Sequence, residues 1–482
     1  MNLLKDAQEH SDNLGSDNTT VNVPEIKENP KQQNLNELAV GPVLKTMLKI
    51  AIPSMVGMLA VALYNTFDSI FVGQVSGDEA LTGLSNFLPT EFMFFSQPIV
   101  SASVGASSII SGFMGKKDLK SAAMAQAQFF YVCIIHSLCI PLIFAPWLPK
   151  YLSILGVTTQ VLPYALQYGY MMTFCGPFVY SMSAGIASLL KCQNKATLAM
   201  ARQIIGAALN LGLDALFMIP LKMQIKGAAL ATIISYALTG VWIVIYLFTK
   251  KATLKMTRES FKINPKTIWQ IYVIGSSTYA NFIPGSLSSL LSSVLLRAFS
   301  QNLDEARRLQ MISGIANRVL GLVQMPQNGL ISGIQPLLGY AIGAKNTERI
   351  KQVLKTGYLV VLITGAITLA SVELGAYYIV KLFSKTPDVW EEAAKMLRIT
   401  CSGVFFGLLL QLATLVLQQE KRAGLATSLN LCRAFVSLTF QIVLPWTLAD
   451  PRYMFLSNFA GDVFGGIIGV VLLITFVKRY SK

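Results

Sequence analysis

Two carboxylates, Asp68 and Asp214, lie inside apolar stretches, MVGMLAVALYNTFDSIFVG and IIGAALNLGLDALFMIP. An ionised side chain at the centre of a bilayer costs about 3 kcal/mol or more, so it persists with a partner, a water-filled cavity or a task. Asn210 precedes Asp214 by one helical turn and shares its face. Thr232 stands near the start of the next apolar run. At 1.5 Å per residue, Asp68, Asp214 and Thr232 all fall on the order of 8–10 Å below the outer membrane boundary, so they can line one pocket. Two carboxylates in low dielectric repel each other. At least one must hold a proton, or the pair must share a desolvated cation such as Na⁺ with the Asn and Thr oxygens completing its shell. Each Asp could instead only bond a neighbouring helix, but the shared depth favours proton or cation handling.

Other polar residues in the apolar runs extend the set. Glu91 follows Pro89 at an outer depth like that of Asp68. It is a candidate for the same cavity, or an anion favoured in the first turn of a helix. Tyr64, Asn65, Gln97, Met171, Gln203 and Gln335 are candidate cavity residues, since Met and aromatic surfaces repack around varied ligands. Arg433 and Asp462 sit at similar mid-membrane depth and are expected to form a structural salt bridge. His136, in FFYVCIIHSLCI, is expected to be hydrogen-bonded rather than a ligand. None of the six cysteines forms a CxxC pair, so no zinc site or disulfide framework is indicated, and no metal beyond Na⁺.

The elements that must position these groups follow from composition. The chain is 53% hydrophobic and 13% charged, against about 25% charged in soluble domains. This indicates an all-α polytopic membrane protein in a lipid bilayer. The net charge of +15 does not point to nucleic acid, because the basic residues are spread over short loops. Residues 1–40 are too polar to bury a core and are expected to form a disordered cytoplasmic tail. They lack the pattern of a signal peptide.

Beyond the tail, twelve apolar runs are each long enough to span a hydrocarbon core. They cover 46–73, 83–113, 121–147, 161–190, 196–220, 227–249, 267–299, 309–342, 352–381, 389–418, 424–447 and 453–477. With both termini inside, the cytoplasmic loops carry about twice as many basic residues as the opposite loops. The longest internal basic loop, 250–266, is expected to link a first lobe, 41–249, to a second, 267–482. The stretch Ala106–Lys117 resembles Ile334–Lys345, which indicates a parallel repeat: two pseudo-symmetric six-helix bundles. At an offset near 226, Asp68 falls on Val294 and Asp214 on Phe440, so the acids are not repeated and the cation site is expected in the first lobe alone.

Several ordered motifs then resemble those of the MATE (multidrug and toxic compound extrusion) transporters, prokaryotic-type branch. They are Asn65–Gly73, Asn210–Phe217, Lys226–Thr232 and Gln335–Tyr340. The resemblance runs from about residue 42 to the C-terminus. It implies alternating-access efflux of small organic, often cationic, compounds in exchange for H⁺ or Na⁺. It also implies that Asp68, Asn210, Asp214 and Thr232 match the family's first-lobe cation site. Ala215 stands where the family often has Pro, and Glu91 where it usually has an apolar residue. No cofactor is expected beyond the coupling ion, and a monomer in the plasma membrane is the expected functional unit. The alternatives are a lipid-linked precursor flippase, disfavoured by few mid-membrane cations, and an uncoupled channel or scaffold. An enzyme is not expected, because no nucleophile motif or P-loop is present.

Overall fold

The computed structural model describes residues 37–154, 157–249, 251–383 and 387–479. Residues 1–36, most of the segment expected to be disordered, lie outside the described part. Twelve long helical rods account for nearly all of what is described, and no β-strand occurs among the described residues. We number them α1 (Val43–Ser76), α2 (Glu79–Gly115), α3 (Leu119–Ile154), α4 (Leu162–Cys192), α5 (Ala196–Met218) and α6 (Ile225–Phe248). The second six are α7 (Pro265–Phe299), α8 (Leu303–Gly343), α9 (Thr347–Phe383), α10 (Pro387–Gln419), α11 (Ala423–Leu448) and α12 (Pro451–Lys478).

Ten of the rods are long and apolar enough to cross a membrane by length and composition. The other two, α7 and α8, span 35 and 41 residues and carry more polar side chains. The rods extend past several of the expected runs because side-chain caps, not hydropathy, decide where a helix starts. Asn302 accepts a hydrogen bond from Glu305 N (2.8 Å) and starts α8 six residues before the expected 309, across a charged first turn that no hydropathy window favours. Asp118 caps α3 through Ser121 N (3.0 Å), and Asn264 caps α7 through Thr267 N, with Pro265 at the first helical position. Within α2 and α4, Glu91–Ser96 and Ser181–Gly185 are π-helical, a local widening often found at functional positions.

The packing repeats. α1 lies on α5 as α7 lies on α11; α5 on α6 as α11 on α12; α4 on α6 as α10 on α12; α2 on α3 as α8 on α9. Two contacts join the lobes in the same pseudo-symmetric way, α1 on α8 and α7 on α2. At both, glycine lets two backbones approach, as is common between helices in lipid. A Cβ added to Gly333 would lie 2.8 Å from Ala51 Cβ and from Met47 O; one on Gly105 would overlap Ile271 O and lie 2.9 Å from Gly275 N. Gly115 meets Tyr340, and Gly343 meets Gly112, by the same close approach. All of these positions lie in the halves of the rods nearer the chain termini, so the lobes are sealed at that end.

Two further segments reinforce the seal. Leu38 is 1% exposed, and its carbonyl accepts from Arg349 at the start of α9 (3.3 Å). Glu37 accepts from Lys49 Nζ (2.6 Å) and Asn194 Nδ2 (2.6 Å). The chain between α6 and α7 is docked on α3: Tyr131 donates to Phe261 O (2.6 Å) and Gln128 to Lys262 O (3.0 Å).

Candidate cation-coupling site

Asn210 and Asp214 share one face of α5, and Thr232 faces them from α6. All three are buried. With the Asn210 amide turned so that each atom meets a suitable neighbour, Asn210 donates to Asp214 Oδ2 (3.2 Å). In that orientation its oxygen accepts from Thr232 Oγ1 (3.2 Å) and Thr232 N (3.3 Å). Asp68 enters from α1, 6% exposed and close enough for its charge to act on Asp214. The helix ends are staggered. Asp68 stands eight residues before Ser76, Asp214 four before Met218 and Thr232 seven after Ile225, or roughly 12, 6 and 10 Å of helix. The packing of α1 on α5 and of α5 on α6, not equal depth from the rod ends, sets their relative height.

Asp68 Oδ1 and Asp214 Oδ1 are both buried with no hydrogen-bond partner. Neither carboxylate forms an ion pair with Lys or Arg among the described residues. A buried carboxylate oxygen left in this condition is costly unless a cation reaches it. The arrangement can therefore take up a proton or a small monovalent cation on those free oxygens, with Asn210 and Thr232 holding the opposite side of Asp214.

Glu91 begins the π-helical segment of α2 and is close enough for the charge of Asp68 to act on it. The Tyr168 hydroxyl on α4 bonds one side of its carboxylate, while Oε2 has no partner. Tyr64 pairs with Tyr236 of α6 through their hydroxyls (2.6 Å). Gln97 is buried with Oε1 unpartnered, Gln203 lies against Gly57 with Oε1 unpartnered, and Met171 packs at the edge of an apolar cluster around Tyr168. Asn65 is exposed. Gln335 is not brought to the carboxylates: it donates to Val104 O (3.2 Å) in the seam between the lobes. His136 bonds Phe95 O through Nε2 (2.9 Å).

In the second lobe Arg433 Nε donates to Asp462 Oδ1 (2.6 Å), and Arg433 also donates to Asn281 Oδ1 (3.3 Å). The repeat register differs slightly from the expected uniform offset. Gln441 lies as far into α11 as Asp214 lies into α5, and it donates to Ser288 O (2.9 Å) and Ser292 Oγ (2.7 Å) of α7. Met47 and Ala51 of the α1–α8 contact correspond to Ile271 and Gly275 of the α7–α2 contact, which places Ser292 in the position of Asp68. The counterparts of the acids are thus Ser292 and Gln441 rather than Val294 and Phe440. The loops have drifted by a residue or two between the repeats, which a single offset cannot follow. The second lobe answers the acid pair with a neutral hydrogen-bonded one.

Sequence reasoning passes over Tyr168 and Tyr236, which stand close to this network, and Arg202, which is buried further along the first-lobe interior against Ser183. Arg202 had a readable signal, an arginine inside an apolar run. The tyrosines had none.

A family model for MatE matches residues 53–216 and 312–443. The multidrug export protein MepA of Staphylococcus haemolyticus (strain JCSC1435) is 23% identical over 416 residues, 86% of this chain and 90% of that protein. MepA of Staphylococcus aureus (strain MSSA476) is 22% identical over 415 residues, with the same shares covered. Among solved structures, a MATE in the bent conformation superposes with a TM-score of 0.85 at 20% identity, covering 93% of this chain and 98% of the other. A MOP-superfamily transporter from Pyrococcus furiosus (DSM3638) gives 0.84 at 20% identity, covering 92% and 98%. Both structures share the two-lobe helical fold. The paired matches, one in each lobe, together with the twelve-rod architecture, place this chain in the MATE family of membrane transporters.

Proposed function

We propose that this chain is an efflux antiporter that exports small organic, often cationic, compounds, including structurally varied drugs, in exchange for H⁺ or Na⁺. The observation that carries the reading is the buried Asp68–Asp214 pair with two unpartnered oxygens and no basic partner. Uptake of the coupling ion on those oxygens neutralises the first-lobe interior and favours one arrangement of α1 against α5 and α6. Binding of a cationic compound in the cavity between the lobes favours the other. The two ligands compete through conformation, because each can shift the equilibrium only by its difference in affinity between the two states. On this reading the seam closes the cytoplasmic side, both termini lie in the cytoplasm, and the protein works as a monomer in the plasma membrane. The chain works as a transporter and makes or breaks no covalent bond.

The test is efflux of a fluorescent cationic dye from proteoliposomes under separately imposed pH and Na⁺ gradients. One of the two gradients drives wild-type efflux, and Asp68→Asn and Asp214→Asn each abolish the drive. Gradient-driven efflux that survives both substitutions refutes the coupling role. Flux indifferent to either gradient indicates a channel instead.

A further inference from the structure

The first lobe holds a buried cation that the coupling site does not use. Arg202, six residues into α5, is 4% exposed. It donates through Nη1 to Ser183 Oγ (2.8 Å), while Nε is buried with no partner. No carboxylate forms an ion pair with it among the described residues. Asp214 lies twelve residues further along the same helix, on the order of 18 Å away along the axis. The acids therefore gather at one end of the lobe interior and Arg202 sits towards the other. The titratable groups whose charge reaches it are the phenols of Tyr64 (α1), Tyr180 (α4) and Tyr236 (α6), neutral donors, and a second cation, Lys191 at the end of α4. Lys191 repels it rather than balancing it.

Arg202 also lines a small cavity with Val61, Tyr64, Gln203, Ser235 and Tyr236, with room for about one water-sized particle. The walls offer donors. In the Tyr64–Tyr236 pair one hydroxyl must donate to the other, which leaves the second hydroxyl's proton free. Gln203 Oε1 has no partner, and turning its amide presents NH₂ instead. The Ser235 hydroxyl is already committed to Thr232 O (2.9 Å). A guanidinium taken out of water without a counter-charge is strongly disfavoured, and an anion beside it offsets part of that penalty.

We propose that this cavity is an inorganic anion site of the first lobe, which takes one halide such as chloride on Arg202 Nε with support from the phenol hydroxyls and the Gln203 amide. The site is separate from the coupling carboxylates and does not depend on their role.

The experiment uses the full-length protein purified in detergent. Thermal unfolding is followed while sodium gluconate is replaced by sodium chloride or bromide at constant Na⁺ and ionic strength. Wild type is expected to gain a saturable rise of about 2 °C in its midpoint. Arg202→Gln is expected to lose the rise, with the response of the lobe carboxylates to Na⁺ or pH left in place. A midpoint indifferent to the halide in wild type, as for a cavity that holds only water, overturns the proposal, and so does an equal rise in Arg202→Gln. If Arg202→Gln does not fold, bromide anomalous scattering from wild-type crystals decides: one peak beside Arg202 supports the site, and its absence there overturns it. Neither readout involves transport, so failure of the antiport reading would leave these results standing.

Discussion

The lobe seam gives a prediction whose size follows from a distance. A Cβ at Gly333 would lie 2.8 Å from Ala51 Cβ, well inside ordinary van der Waals contact, and as close to the Met47 carbonyl. Those neighbours are backbone and a methyl group with no rotamer to escape into. Gly333→Ala must therefore push α8 off α1, at a cost typical of overpacking, about 1–3 kcal/mol. The cost falls on the sealed state only, because a state opened at the terminal end separates these helices. At about 1.4 kcal/mol per factor of ten, the equilibrium shifts by roughly 5- to 150-fold towards opening at that end. The assay is labelling of a single cysteine at Ser111→Cys, a buried position facing Gly339 across the α2–α8 seam, with the natural cysteines replaced. A membrane-impermeant maleimide applied from the terminal side should react faster by that factor in Gly333→Ala. The mirror substitution Gly105→Ala, against Ile271 and Gly275, should do the same. A labelling rate within twofold of the parent, in a protein with an unchanged unfolding midpoint, would refute the claim that these contacts hold the seal.

Asn210→Leu should impair gradient-driven dye efflux as Asp214→Asn does, because it removes the amide joining Asp214 to Thr232, whereas Asn65→Ala at an exposed position should leave efflux unchanged. Arg433→Met leaves Asp462 buried and unpaired and should cost about 3–5 kcal/mol in stability, read by thermal unfolding, with much of the loss recovered in the double variant Arg433→Met/Asp462→Leu. Leu38→Ala should loosen the terminal seal by about 2–5 kcal/mol, read by the same maleimide assay. Burial raises the Glu37 carboxyl, but hydrogen bonds from Lys49 and Asn194 outweigh it and hold the group below its usual range. A depressed carboxyl stabilises above its unfolded value, near 4.3, and loses that contribution as pH falls through the folded one. Labelling, normalised at each pH to that of an exposed reference cysteine because maleimide reacts with the thiolate, should therefore be flat between about pH 7 and 5 and rise only in stronger acid. Glu37→Gln should raise it slightly between about pH 7 and 5, by less than about 1 kcal/mol because the side chain is a third exposed, and should remove the further rise in acid.

Much of the architecture is legible in the chain because the bilayer imposes simple rules. Helices must satisfy their own backbone in lipid, so an apolar run of sufficient length reads as a rod, and twelve such runs appear as twelve rods. The Asn210–Asp214 relation is equally local, since one helical turn places both on one face wherever the helix goes. Rod ends are less legible: the start of α8 depends on Asn302 folding back on Glu305 N, a contact of three residues hidden in a charged stretch.

Contacts between rods depend on geometry that no periodicity carries. Tyr168 reaches Glu91 and Tyr236 reaches Tyr64 from helices distant in the chain, and aromatic residues in an apolar run look alike whether they face lipid, core or a carboxylate. The same holds for Gln335, whose polar character suggests a cavity but whose place on α8 commits it to the seam with α2. The amino-acid sequence by itself determined the helical rods, the repeat and the presence of costly acids in one half, because each follows from burial energy along a single chain segment. Only the tertiary structure decided that Asp68 comes within electrostatic reach of Asp214 in the Asn210–Asp214–Thr232 group, that Ser292 and Gln441 replace the acids in the other lobe, and that Arg202 forms no ion pair with a carboxylate among the described residues. Those outcomes turn on how rods rotate and slide against one another, a choice made by small residues such as Gly105 and Gly333 acting across the lobes.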